Sequence, residues 1–332
     1  MKVSFQEGSA EERPGGMRRM RPILLTGCTA SGKSAVAFEL ARQLGGEIVT
    51  VDSMQVYRGL DIGTAKPSPQ ERAEIRHHLL DVVSLDENFD AARFVELAWQ
   101  AVRDIQGRGK IPILCGGTGL YFKAWLAGLG QSPKADAQLR AELEQIPLVE
   151  LLNELKERDP ATYAVIDRRN KRRIVRAVEV IRLTGRPFSA QRAVWGTERL
   201  VQYPFFGLLR ETEDLRRRID RRVDEMFANG LVEETMGLLK QGLERNRTAM
   251  QAIGYRQVVE YLRGLRSLEE TIELVKVRTR QFAKRQMTWF RHQLPVEWMP
   301  VAAGATAAEL AAAIARKHAE FESDLTGGRP AC

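Results

Sequence analysis

The segment Gly27-Cys28-Thr29-Ala30-Ser31-Gly32-Lys33-Ser34 fits the pattern G-x-x-x-x-G-K-[ST], and each fixed position has a physical task. The glycines let backbone N–H groups close around phosphate oxygens, and the following helix points its positive end at them. Lys33 adds a charge, and Ser34 adds a hydroxyl able to ligate Mg²⁺. Such a loop identifies a phosphorylated ligand and leaves the reaction open. Two further segments bear on the reaction. Asp52 opens Asp52-Ser53-Met54-Gln55-Val56-Tyr57; its carboxylate could be a general base for an incoming nucleophile or a second-sphere partner of a metal, and Asp is also a common helix cap and turn former. Thr118 lies in Gly116-Gly117-Thr118-Gly119-Leu120-Tyr121, where the glycines allow close approach of a ligand and the hydroxyl can reach it, although a tight strand-to-helix turn has the same composition.

These residues need a scaffold that brings them to one place. Ile23 to Leu25 read as a short buried strand, Ser34 to Leu44 as a helix and Glu47 to Val51 as a second strand, a β-α-β opening. A helix with apolar Phe94, Leu97, Ala98, Val102 and Ile105 precedes another buried strand, Ile111 to Cys115. This alternation predicts a parallel sheet with helices on both faces, which gathers the three motifs at the carboxyl edge of the strands. After about Ala127 the strand pattern stops, and residues 134–200 read as an inserted helical domain. Pro204 to Leu209 read as a strand rejoining the sheet. About four amphipathic helices follow, the longest from Leu268 to about Gln293, and residues 301–332 read as an Ala-rich helix and tail. The expected division is a disordered extension at 1–20, a P-loop core at 21–133 and 201–300, and the insertion between them.

Composition sets outer limits. The 332 residues are 44% hydrophobic and 28% charged, ordinary for a globular protein. The 51 Lys and Arg exceed the 43 Asp and Glu, giving a net charge of +8, which favours an anionic partner. The excess is concentrated: Arg168, Arg169, Lys171, Arg172, Arg173 and Arg176 lie close together, and helical spacing puts Arg169, Arg172, Arg173 and Arg176 on one face with Ile174, Val178 and Ile181 toward a core. That face suits a phosphate backbone or is a solvated surface. A second group, Arg278, Arg280, Lys284, Arg285 and Arg291, is interleaved with Phe282, Trp289 and Phe290. Cys28, Cys115 and Cys332 are far apart and the four histidines are scattered, so no zinc site or disulfide framework is expected. No apolar stretch reaches the roughly 20 residues a membrane-spanning helix needs. A cytoplasmic location is the expectation.

Taken together, these segments resemble the tRNA dimethylallyltransferase family, also called tRNA isopentenyltransferases. The resemblance runs from about Pro22 to Arg291 and rests on Gly27 to Ser34, on Asp52-Ser53-Met54-Gln55-Val56-Tyr57-Arg58-Gly59 through Asp61-Ile62-Gly63-Thr64-Ala65-Lys66-Pro67, and on Gly116 to Tyr121. It continues in Arg176-Ala177-Val178-Glu179, Ala252-Ile253-Gly254-Tyr255-Arg256-Gln257 and Ala283 to Arg291. Cys28 stands where the family usually has proline, Arg172 where it often has glutamine, and Ser34 where threonine is frequent. The resemblance implies that Gly27 and Thr29, Ala30, Ser31, Gly32, Lys33 and Ser34 hold the diphosphate of dimethylallyl diphosphate with Mg²⁺ on Ser34. It also implies that Asp52 is the general base, with Thr118 beside the reacting amine. tRNA contacts would come from Asp52, Ser53, Met54, Gln55, Thr118, Arg140, Arg172, Arg173, Arg176, Gly254, Tyr255, Arg256 and Gln257. The acceptor would be N6 of the adenosine 3′ of the anticodon and the expected state a monomer. A P-loop small-molecule kinase and a non-enzymatic RNA-binding nucleotide switch are the competing readings.

Overall fold

The computed structural model describes residues 20–130, 133–191 and 202–326. Its sheet is made of β1 (Ile23–Gly27), β2 (Glu47–Val51), β3 (His77–His78), β4 (Pro112–Gly116), β5 (Phe205–Leu209) and β6 (Glu297–Pro300). The strands are all parallel, in the order β3-β2-β4-β1-β5-β6. β1, β2 and β4 are buried along their whole length, as near-continuous apolar strands covered on both faces must be. The chain leaves β1 in one direction toward β2 and later passes to its other side for β5 and β6. The carboxyl end of β1 is therefore the point where the strand order reverses, the usual place for a ligand in an open α/β sheet.

The helices of the first half are α1 (Lys33–Leu44), α2 (Pro69–Glu74), α3 (Ala91–Gly107) and α4 (Gly119–Ala127). Asp90 caps α3 by accepting from the N–H groups of Ala92 at 3.0 Å and Arg93 at 2.9 Å, offsetting two of the amides that a helix start leaves without partners. Then come α5 (Ala137–Gln145), α6 (Leu148–Arg158), α7 (Pro160–Val165) and α8 (Lys171–Thr184), and after β5, α9 (Thr212–Ala228), α10 (Leu231–Lys240), α11 (Tyr255–Leu262), α12 (Leu268–Gln293) and α13 (Ala307–Thr326). The outer face of α1 is closed by α13: Val36, Ala37, Leu40 and Ala41 share one core with Leu310, Ala311 and Ile314.

Two compact units result, one of Met1–Trp125 with Leu200–Cys332 and the other Leu126–Arg199. The second has its own core of Leu143, Leu151, Leu155, Ile174, Val175, Val178 and Ile181, so the inward face read from the sequence of α8 is the one found. Arg169 does not share the α8 face: it precedes the cap Asn170, whose side-chain oxygen accepts from Arg173 N at 3.2 Å. His77 and His78 form the short edge strand β3. Residues 1–19 of the expected extension, 192–201 of the insertion boundary and 327–332 of the tail lie outside the described residues. Met20 packs on the core, and its carbonyl accepts from Gln106 Nε2 at 2.9 Å.

Candidate active site

The phosphate loop is held from outside by side chains far away in sequence. Arg210, just after β5, donates through Nε to Ser31 O at 2.7 Å, and Arg218 of α9 does the same to Ala30 O at 3.0 Å. Cys28, Ile219 of α9 and Ala283 of α12 form one apolar cluster, and Ala30, Leu215 of α9 and Met287 of α12 pack against it. Gly27 is required for closure, because a Cβ there would fall 2.5 Å from Ser31 Oγ. Ser31 Oγ itself is buried with no hydrogen-bond partner among the described residues. A buried hydroxyl in this condition is destabilising unless a ligand completes it. Lys33 is half-buried, and among the described residues its Nζ donates to Cys28 O alone, at 3.4 Å. Burial pushes its ammonium below the ordinary lysine value; Cys115, Cys28 and Asp52 pull it back up, and Arg222 adds to the depression. Burial also raises both nearby thiols, Cys115 to about 12. Ser34, at the head of α1, is exposed.

The other two motifs meet this loop along the same edge. Asp52 Oδ1 accepts from Met54 N at 2.8 Å and Gln55 N at 3.2 Å, forming a turn cap, while Oδ2 carries no hydrogen bond from the described residues. Thr118 ties β4 to β2: its N–H donates to Val51 O at 3.2 Å and its Oγ1 accepts from Ser53 N at 3.1 Å, which leaves the hydroxyl proton available to a ligand. Arg222 of α9 is half-buried and feels both Asp52 and Glu225; burial lowers its guanidinium, and those carboxylates raise it. Gln286 of α12 joins two of the motifs, accepting from Thr29 N at 2.9 Å and donating to Gly117 O at 2.9 Å. A phosphate cradle with a half-buried cation, together with a carboxylate oxygen and a hydroxyl donor that are unpaired among the described residues, therefore line one edge. That set can hold a diphosphate leaving group and take a proton from a nucleophile.

A family model described as IPP transferase matches residues 55–293. The chain belongs to that family. It is 48% identical to the tRNA dimethylallyltransferase of Geobacter metallireducens over 289 residues, which cover 85% of this chain and 93% of that protein. The tRNA dimethylallyltransferase of Pelotomaculum thermopropionicum is 40% identical, with 89% and 95% covered. Among solved structures, the full-length tRNA isopentenylpyrophosphate transferase of Bacillus halodurans is similar with a TM-score of 0.67 at 37% identity, covering 93% of this chain and 99% of that one. A eukaryotic dimethylallyltransferase acting on tRNA gives 0.73 at 28% identity, with 94% and 80% covered. The kinase and nucleotide-switch readings are not favoured beside these relatives.

In this IPP transferase family member the residues expected to meet tRNA divide into exposed and interior groups. Arg172 and Arg173 are exposed and have no carboxylate partner among the described residues. Arg140 and Arg176 instead converge on the fully buried carboxylate of Glu179, at 2.6 Å and 2.8 Å, and Arg176 also donates to Pro133 O at 2.6 Å. Ser53, Met54 and Gln55 are half-buried, with Gln55 Nε2 donating to Thr64 O at 2.9 Å. Tyr255 is fully buried; its hydroxyl donates to Glu234 Oε1 at 2.6 Å and accepts from Gly63 N at 3.1 Å. Gln257 is buried as well and caps its own helix through Gly254 N at 2.9 Å, while Arg256 is exposed beside Glu260. Arg210, Arg218, Arg222 and Gln286 are the site residues that sequence reasoning missed. The spacing of Arg218 and Arg222, one helical turn apart on α9, was the available signal.

Proposed function

We propose that this chain transfers the dimethylallyl group of dimethylallyl diphosphate to N6 of the adenosine 3′ of the anticodon in tRNA, releasing diphosphate. The observation that carries the reading is the tie between Ser53 N and Thr118 Oγ1, which brings the Asp52 turn and the Thr118 turn together on the sheet edge where β1 delivers the phosphate loop. Adenine's exocyclic amine is a weak nucleophile because its lone pair is delocalised into the ring, so the allylic carbon must become electrophilic as its C–O bond breaks. Lys33 and the amides at the head of α1 take up the charge on the departing diphosphate. Arg222 adds positive potential beside Asp52. The C–N bond forms as Asp52 accepts the N6 proton, and Thr118 donates its hydroxyl proton to orient the reacting group. The base leaves the anticodon stack to reach this edge.

The donor set fits Mg²⁺. The Ser34 hydroxyl is exposed at the head of α1, where the hydroxyl of a phosphate loop meets Mg²⁺, an ion that keeps several waters and is completed largely by substrate phosphate oxygens. Ser34 would supply the protein oxygen, and the ion would neutralise charge on the diphosphate. In unit two, Arg172 and Arg173 contact tRNA phosphates while Arg140 and Arg176 hold the helices that present them. Arg256 is the side chain of its segment that reaches tRNA, with Gly254, Tyr255 and Gln257 shaping the turn beneath it. The enzyme acts as a monomer in the cytoplasm; no helix among the described residues is long and apolar enough to cross a membrane. The test is incubation with unmodified tRNA and either dimethylallyl diphosphate or ATP, followed by nucleoside mass spectrometry. A five-carbon addition to adenosine is expected with the diphosphate alone. Phosphorylation of an acceptor by ATP with no prenylated nucleoside overturns the reading.

A further inference from the structure

We infer that Gln286 is a positioning residue for this reaction, an amide clamp that sets the spacing between the phosphate loop and the turn carrying Thr118. The inference rests on the proposed prenyl transfer, since the two segments it joins are those assigned to the leaving group and to the acceptor.

A glutamine side chain is rarely buried unless both ends of its amide are satisfied. Gln286 is buried, and both ends are used at 2.9 Å, one on Thr29 N and the other on Gly117 O. The orientation of the amide is fixed by its partners, because a backbone N–H can only donate and a carbonyl can only accept. One side chain on α12 thus spans segments that follow β1 and β4. The fit is close: a Cβ at Gly117 would overlap the Gln286 amide nitrogen and would lie 3.7 Å from Lys33 Nζ. Glycine at 117 is what lets the clamp approach. The bridge sits on a stiff support, as α12 is 26 residues long with a Ser267–Glu270 capping box, and its Ala283 and Met287 belong to the same apolar cluster as Cys28 and Ala30 of the loop.

Gln286 is assigned no contact with a reacting atom. Its effect is on distance: misplacement of reacting groups by about 1 Å can cost about 10²-fold in rate. Apolar packing of α12 alone limits how close the loop and turn can come, whereas two directed hydrogen bonds fix their offset.

The test compares Gln286→Met, which keeps the side chain's bulk and loses both bonds, with Gln286→Glu, which keeps the acceptor for Thr29 N and loses the donor to Gly117 O. Single-turnover prenyl transfer to tRNA separates the rate constant from the amplitude, that is, the active fraction. Positioning predicts a rate constant lowered by roughly 10²-fold for Met and at least about 10-fold for Glu, with tRNA affinity within about threefold of the parent. A purely structural role predicts lower amplitude and melting temperature with the rate constant retained. A rate constant for Gln286→Met within about threefold of the parent overturns the inference. Failure of the unsubstituted protein to prenylate tRNA would instead remove the proposed function, and the inference with it.

Discussion

Asp52 has two roles available that a single substitution can separate. Its Oδ1 caps the Met54–Gln55 turn, and an Asn at this position offers an oxygen to the same two amides. Asp52→Asn should therefore melt at the parental temperature yet lose roughly 10²-fold or more in single-turnover rate, because an amide cannot take the N6 proton. Recovery of that rate by raised Mg²⁺ would place Asp52 in service of the metal. Lys33 offers a different measurement. Burial holds its ammonium below the ordinary value, so at alkaline pH the free protein is less protonated there than an exposed lysine would be. A bound diphosphate favours the charged form. Binding should take up more protons in the parent than in Lys33→Met, read by calorimetry in buffers of differing ionisation heat; equal uptake in both would exclude Lys33 as the contact. Lys33, Asp52 and Thr118 were legible in the sequence because each sits inside a contiguous motif at the end of a strand. Gln286 lay inside the motif stretch Ala283 to Arg291 but its partners Thr29 and Gly117 were not readable, and Arg210 and Arg222 were not singled out, since only the tertiary fold brings their segments to this edge.

Among the elements, α8 shows how a basic run divides between contact and support. Glu179 is a fully buried carboxylate satisfied by Arg140, Arg176 and Asp136 N. Removing either arginine leaves part of that charge unpaired, which is costly inside a core. Arg140→Ala and Arg176→Ala should each lower the melting temperature, whereas the double change Arg172→Ala and Arg173→Ala should leave it unchanged and reduce the salt dependence of tRNA binding by roughly one to two charges. An unchanged salt slope would mark the exposed pair as merely solvated. At the amino end of β2, Glu47 is buried. Burial opposes its ionisation, but Arg108 at 2.6 Å, His78 at 2.7 Å and Lys110 at 3.2 Å outweigh it and hold the carboxyl at about 2. A carboxyl depressed from 4.5 contributes stability that is present above that value and is lost as pH falls toward 2. Chemical denaturation followed across that window should show a steeper loss in the parent than in Glu47→Gln; parallel curves would mean the cluster contributes nothing. The strands β1, β2 and β5 were readable as apolar runs, whereas β3 has two residues and β6 has four, Glu297-Trp298-Met299-Pro300, too few to show a period. Only pairing with β2 and β5 makes them strands.

For the molecule as a whole, the α/β class and the change of pattern near Ala127 followed from hydrophobic periodicity, while the placement of the last helix did not, since an Ala-rich helix can cover almost any smooth surface. It covers α1, the helix whose first turn carries Lys33 and Ser34. That arrangement has a consequence for vectorial synthesis. While a ribosome is still making β6, the phosphate loop, Asp52 and Thr118 have all emerged, yet Val36 and Leu40 still lack the cover that Leu310 and Ile314 provide in the finished core. Emerging domains that await a late segment expose apolar surface in the interval. Chains stalled after Pro300 should be cleaved within α1 by added protease far faster than chains released after α13, and equal resistance would show that the P-loop helix reaches its final stability without its last neighbour. The loop expected to hold the diphosphate is thus made early, and the helix behind it is covered late.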